Sequence, residues 1–149
     1  MASTRFPRKA LARDTGIPMV VHVCRQAEAA SAIERVIVAA DDPLIISAVQ
    51  EFGHEAVLTR SDHPNGSSRV AEVAATLDYD VIVNVQGDEP ELDPTDIDAS
   101  IGALVRNADC NVSTLATPFC DDDDLDDVNL VKIQHADEHA IDFTRHHVP

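Results

Sequence analysis

The sequence has no tryptophan, and aromatic residues make up 3% of its 149 positions. Its core must therefore be built from Val, Ile, Leu and Ala. Cations are scarce as well: 11 basic residues face 27 acidic ones, for a net charge of −16. A nucleic-acid or anionic-membrane partner needs a basic face, so neither is expected. The three cysteines are an odd number without a C-x-x-C pair. That disfavours a disulfide scaffold or a zinc site and fits reduced thiols in a cytosolic protein. Cys24 and Cys110 stand in apolar surroundings and read as small buried hydrophobes. The N-terminus lacks an apolar h-region, and no run reaches membrane-spanning length. The expectation is a cytoplasmic chain that is neither exported nor membrane-bound.

What is present is an apolar fraction of 44% in a length that suits one domain with a real core. Short β-branched runs alternate with helical periods. Strands are expected at 35–42, 55–59, 81–86 and 111–117. Helices are expected from Pro18, with Val20, Val23, Ala27 and Ala30 on one face, from Pro43 to Phe52, over 68–77, and from Pro94 to about Asn107. Two further strands, 130–134 and 140–144, form a hairpin. This alternation is the signature of βαβ units, so the fold class is α/β, with a mainly parallel sheet and flanking helices. The run 121–127, six Asp in seven residues, reads as a solvated acidic loop.

The organising stretch is Val81-Ile82-Val83-Asn84-Val85-Gln86-Gly87-Asp88-Glu89-Pro90. It reads as a strand buried on both faces that must stop before Pro90. Asp88 and Glu89 are thereby held at the carboxyl end of a strand, the edge where α/β sheets bind ligands. One rigid carboxylate there suits a hard cation such as Mg²⁺, which leaves its other positions to water and substrate phosphates. Two loops supply the opposite charge. Ser3-Thr4-Arg5 with Arg8 and Lys9 offers hydroxyl, guanidinium and ammonium donors. Gly66-Ser67-Ser68-Arg69 puts a glycine, two hydroxyls and a cation at a helix N-terminus. Each loop alone reads as an ordinary solvated terminus or a Ser-capped turn, and His63 reads as a surface loop histidine.

Taken together, Ala2–Lys9, Thr59–Glu72 and Val83–Pro90 resemble the successive motifs of the 3-deoxy-manno-octulosonate (Kdo) cytidylyltransferases, or CMP-Kdo synthetases. Asn129-x-Val131-Lys132 and Phe143-Thr144-Arg145 are similar to later segments of that family. The resemblance implies a nucleotide-diphosphosugar-transferase-like, Rossmann-like fold. It implies transfer of CMP from CTP to Kdo with release of pyrophosphate, for lipopolysaccharide biosynthesis. By matching position, Ser3, Arg5 and Lys9 would hold the CTP phosphates. Gly66, Ser67 and Arg69 would face the nucleotide, and Gln86 would lie near the ribose or sugar. Asp88 would bind Mg²⁺, so Lys9 and Asp88 are the expected catalytic pair.

The departures from the family are specific. Its opening strand and C-terminal part have no counterpart here, so residues 1–149 are expected to form one incomplete nucleotidyltransferase domain. The full-length protein would be a homodimer. Arg8 and Ala10 stand where the family has Gly and Pro. The alternatives are a CMP-sialate synthetase-like enzyme, whose phosphate loop differs from Ser3–Pro7, and a non-catalytic nucleotide-binding fragment.

Overall fold

The computed structural model describes residues 9–120 and 123–146. Two compact units make up the chain, Met1–Ser113 and Thr114–Pro149.

In the first unit a 3₁₀ turn, Lys9–Leu11, precedes helix α1, Met19–Ala29. Pro18 starts α1 as its N-cap residue, and five side chains of the helix are buried: Val20, Val21, Val23, Cys24 and Ala27. Strand β1, Ile37–Ala40, is followed by helix α2, Pro43–Glu51, and strand β2, Glu55–Leu58. β1 and β2 pair in parallel, with Ile37 opposite Glu55 and Ala40 opposite Leu58. Helix α3, Gly66–Ala74, and helix α4, Pro94–Arg106, complete the unit. The expected βαβ alternation is thus present from Ile37 to Leu58. Asp-Pro opens two of the helices by one device. Asp42 accepts from Leu44 N at 2.9 Å and Asp93 from Thr95 N at 2.8 Å, while Pro43 and Pro94 occupy the first turn, where a missing N–H costs nothing. α2 ends where Gly53 takes φ +82°, a left-handed value that glycine adopts freely.

Helix α1 belongs to two cores. At one end Val20 and Val21 meet Val49 of α2, with Ala10, Val38, Ile45 and Phe52 around them. At the other end Ala27 and Ala30 meet Ile97 of α4, with Val83, Val85 and Ile101 packed against them. Leu44 of α2 is 50% exposed. Ile45, one residue on, packs inward.

Three expected strands differ. Segment 81–86 is extended but joins no sheet: Val81, Val83 and Val85 are half-buried, and Ile82, Asn84 and Gln86 are exposed. It is therefore buried on one face, not two. A strand is defined by a hydrogen-bonded neighbour, and an apolar cavity of about 560 Å³ separates this segment from β1. Among the described residues, no backbone–backbone bond ties 81–85 to another segment. β1 itself is half-buried apart from Ala40, for the same reason. The third, residues 111–117, forms no strand.

The second unit holds the expected hairpin, β3 Lys132–Ala136 and β4 His139–Thr144, paired antiparallel with a bulge between Gln134 and His135. Asp137 takes φ +52° in the tight turn, a conformation that Asp tolerates. Lys132 is buried and donates to the carbonyl oxygens of Asp127 and Arg145 at 2.6 and 3.3 Å. Arg145 in turn donates to the carbonyls of Val128 and Asn129. No helix among the described residues is long and apolar enough to cross a membrane.

Asp98 fastens α4 to the loop after α1. It accepts from Ala32 N at 2.8 Å and from Ser31 N and Oγ at 3.0 and 2.7 Å. The Ala32 N–H, then the Ser31 hydroxyl and N–H, hold its carboxyl below the ordinary 3.8. A depressed carboxylate stabilises the fold above its unfolded value and stops doing so as pH falls through its folded value. Asp98→Asn should therefore lower Tm by a few degrees at pH 7, and the difference from the parent should narrow as the pH is taken down below the ordinary 3.8; thermal melts across that range check it. The thiols differ too. Burial, then Glu28, pushes the Cys24 thiol up to about 11, whereas Cys110 is half-buried and Cys120 exposed. Iodoacetamide at pH 8 should alkylate Cys120 first and leave Cys24 unmodified until denaturant is added, which peptide mass spectrometry reads directly.

Candidate active site

The 3₁₀ turn and segment 81–88 come together because each packs on α1. Ala10 sits on the Val20–Val21–Val49 core, and Val83 and Val85 sit on the Ala27–Ala30–Ile97 core. Gly87 lies against Val20, with room for a Cβ 3.9 Å from Cγ2. The consequence is an ion pair between residues 79 positions apart: Lys9 Nζ lies 3.1 Å from Asp88 Oδ2. Both side chains are about half-exposed, so solvent and a ligand can reach them. Beside Asp88, residues 88–92 line a shallow recess of about 370 Å³.

A second cluster forms at the start of α3. Asn65 caps the helix by accepting from Ser68 N at 2.8 Å, so the cap is Asn65 and not a serine. Ser68 spends its own hydroxyl on Asn65 O at 2.9 Å. Asn84 Nδ2 donates to Ser67 Oγ at 3.1 Å, and Gln86 Nε2 donates to Asn84 Oδ1 at 3.2 Å. The Gln86 amide lies against Gly66, its Oε1 3.4 Å from where a Cβ would stand. Gly66, Ser67 and Gln86 therefore meet. Asn84 joins them, a residue the sequence reading passed over. Its signal was the period of two, which puts 82, 84 and 86 on the face opposite the packed valines.

Arg69 is used differently. Its side chain is 17% exposed, and its guanidinium donates to Thr59 Oγ1 at 2.5 Å, to Arg60 O at 3.1 Å and to Asp41 Oδ2 at 2.8 Å. It clamps the start of α3 onto the carboxyl ends of β1 and β2, and three of its five N–H groups are spent there. His63 is not a solvated loop histidine: its side chain is 7% exposed and bonds Glu72 of α3. Glu72 also accepts from Arg60 N at 3.4 Å, and His63 first of all holds the Glu72 carboxyl below its ordinary value. These contacts set the path of the 59–65 loop. Ser3 and Arg5 lie outside the described residues.

Among the described residues, no three His, Cys, Asp or Glu side chains converge on a point that could hold a metal ion. A closed protein cage does not fit. One exposed carboxylate, Asp88, does fit a Mg²⁺ that keeps most of its coordination shell for water and phosphate.

Comparison with known proteins bears on the family and the fold. A family model described as cytidylyltransferase matches residues 1–149. The 3-deoxy-manno-octulosonate cytidylyltransferase of Geotalea daltonii is 46% identical over 149 residues, 99% of this chain and 59% of that protein. The protein of the same name from Geobacter metallireducens is 44% identical with the same coverage. In Acidovorax sp. its counterpart is 46% identical over 136 residues, 89% of this chain and 52% of that one. The solved structure of CMP:2-keto-3-deoxy-manno-octonic acid synthetase complexed with CTP superposes with a TM-score of 0.83 at 29% identity, over 99% of this chain and 61% of that one. The likeness extends the local βαβ order to a Rossmann-like nucleotide-transferase fold. The chain spans about three-fifths of the length of the curated relatives it matches.

The Arg69 clamp makes a prediction of its own. Arg69→Lys keeps the charge but loses the fork, leaving Thr59 and Asp41 without their shared donor. It should destabilise the unit by about 1–3 kcal/mol in urea unfolding. Arg69→Lys at parental stability would show that the fork carries no structural role.

Proposed function

Because the chain belongs to the cytidylyltransferase family, we propose that it transfers CMP from CTP to the anomeric hydroxyl of Kdo and releases pyrophosphate. The observation that carries this reading is the Lys9–Asp88 pair at 3.1 Å, a cation and a carboxylate brought together across 79 positions of the first unit. Kdo as acceptor, a cytoplasmic setting and a homodimeric full-length protein are parts of the same reading and rest on the family resemblance.

The reaction needs the acceptor oxygen to form a new bond to the α-phosphorus. The α–β bridging bond breaks, its electron pair leaves on pyrophosphate, and the hydroxyl proton passes to solvent. Such chemistry asks the protein mainly for positioning and for charge stabilisation. In the free protein Lys9 and Asp88 neutralise each other. A half-exposed pair of this kind is worth about 0–1 kcal/mol, so a polyphosphate can take Lys9 and a cation can take Asp88 at little cost. Bound Mg²⁺ would neutralise phosphate charge and polarise the phosphoryl group. Lys9 would draw the phosphates to the mouth of the site and stabilise the charge that develops on them. Gly66 and Ser67, at the first turn of α3, offer backbone N–H groups to an anion or a polar ring edge. Ser67 and Gln86 would hold the nucleotide by hydrogen bonds.

The strongly acidic chain does not forbid an anionic substrate. Charges farther away than about 8 Å are screened at physiological salt, so the local cation and the metal dominate.

Calorimetric titration with CTP, with and without Mg²⁺, tests the reading. The parent chain should bind CTP in a Mg²⁺-dependent manner, and Asp88→Asn should lose at least about tenfold in affinity. Pyrophosphate release should depend on Kdo and not on a sialic acid. Asp88→Asn binding Mg²⁺–CTP as well as the parent does would overturn the assignment.

A further inference from the structure

We propose that Asn84 is a positioning residue that fixes the direction of the Gln86→Asn84→Ser67 hydrogen-bond relay, so that Ser67 meets the nucleotide as a donor and Gln86 as an acceptor. This rests on reading the Gly66–Ser67–Gln86 cluster as part of the CTP site.

The direction follows from the start of α3. Backbone N–H groups of the first helical turn have no partner within the helix, and the dipole makes that end positive. Gln86 lies beside that turn, with Oε1 3.4 Å and Nε2 3.7 Å from where a Cβ on Gly66 would stand. The amide nitrogen then faces Asn84 and donates to Oδ1 at 3.2 Å. Once Oδ1 is engaged, the Asn84 amide presents its other edge, and Nδ2 donates to Ser67 Oγ at 3.1 Å. A hydroxyl that accepts a bond in this way keeps its own proton for another acceptor. Ser68, the neighbouring hydroxyl, has no such freedom, because it is tied to Asn65 O. Asn65 takes the capping role that Ser67 would otherwise fill.

Asn84 therefore acts through two side chains that reach the ligand. It can do so because residues 84 and 86 share the exposed edge of a segment whose other edge is held by Val83 and Val85. An aspartate at 84 would still accept from Gln86, but it offers no donor. Ser67 would then turn its proton toward position 84 and away from the nucleotide.

Two measurements on the full chain decide the matter. In the first, CTP affinity with Mg²⁺ present is measured for Asn84→Asp, Ser67→Ala and the double variant. Each single change should weaken CTP about five- to tenfold, the worth of one hydrogen bond, and the double variant should be no weaker than either. Melting temperatures should stay at the parental value, which separates positioning from support of the fold. Additive losses, or an Asn84→Asp that binds like the parent, would overturn the relay. The second measurement needs no nucleotide. In ¹⁵N-edited spectra, Ser67→Ala should move the Asn84 side-chain amide protons upfield and leave those of Gln86 in place. Unmoved Asn84 protons would mean that the relay runs the other way. A parent chain that fails to bind CTP would count against the functional reading, and the spectra would still decide the relay.

Discussion

The burial of one helix, α1, is the constraint on which the rest of the first unit depends. Val20 and Val21 at its start and Ala27 at its end belong to separate cores, and each core holds one half of the site. The turn carrying Lys9 is attached through Ala10, and the segment carrying Asp88 through Val83 and Val85. Apart from Phe52, these contacts are made by aliphatic side chains whose dispersion energy depends on close approach. A shift of α1 would therefore be felt at the Lys9–Asp88 pair, although no residue of α1 bears a functional group used there.

Electrostatics explains how so acidic a chain keeps its few cations available. Several are paired where they stand: Arg13 with Glu51, Arg35 with Glu55, Arg60 with Asp62 and Arg69 with Asp41. Their exposures separate two uses. Arg69 is largely covered and spends its fork on three fixed acceptors, so it holds structure. Lys9 is half-exposed and makes one bond to a carboxylate that is itself half-exposed, so it can exchange partners. Charge alone would rank an arginine above a lysine as a phosphate ligand, yet here burial assigns the arginine to the scaffold.

The same distinction separates what could be read in the chain from what could not. Helix starts were legible because Asp-Pro and Pro signals act locally, within three residues of the backbone they cap. The apolar face of α1 was legible from its period. The isolation of segment 81–86 was not, since a β-branched run records a preference for extended backbone and says nothing of whether a neighbour is present to pair with it. The burial of His63 and the partners of Arg69 could not be read for a related reason. Their partners, Glu72 on α3 and Asp41 at the end of β1, are fixed by how loop and helix pack, which residue type does not encode.

Sequence by itself determined the α/β class, the helix starts set by Pro and Asp-Pro, and the residue types of the candidate site: lysine at 9, a carboxylate at 88, and glycine with hydroxyls at 66–68. It did so because propensity, capping and periodicity are short-range, and because a set of motifs in fixed order is specific where each motif alone is not. Tertiary structure decided which of those residues meet. It set Lys9 against Asp88 across 79 positions, joined Asn84 to Ser67 and Gln86, and drew Arg69 into a clamp. Those outcomes depend on side chains from distant segments reaching about 3 Å of one another, a distance that packing alone sets.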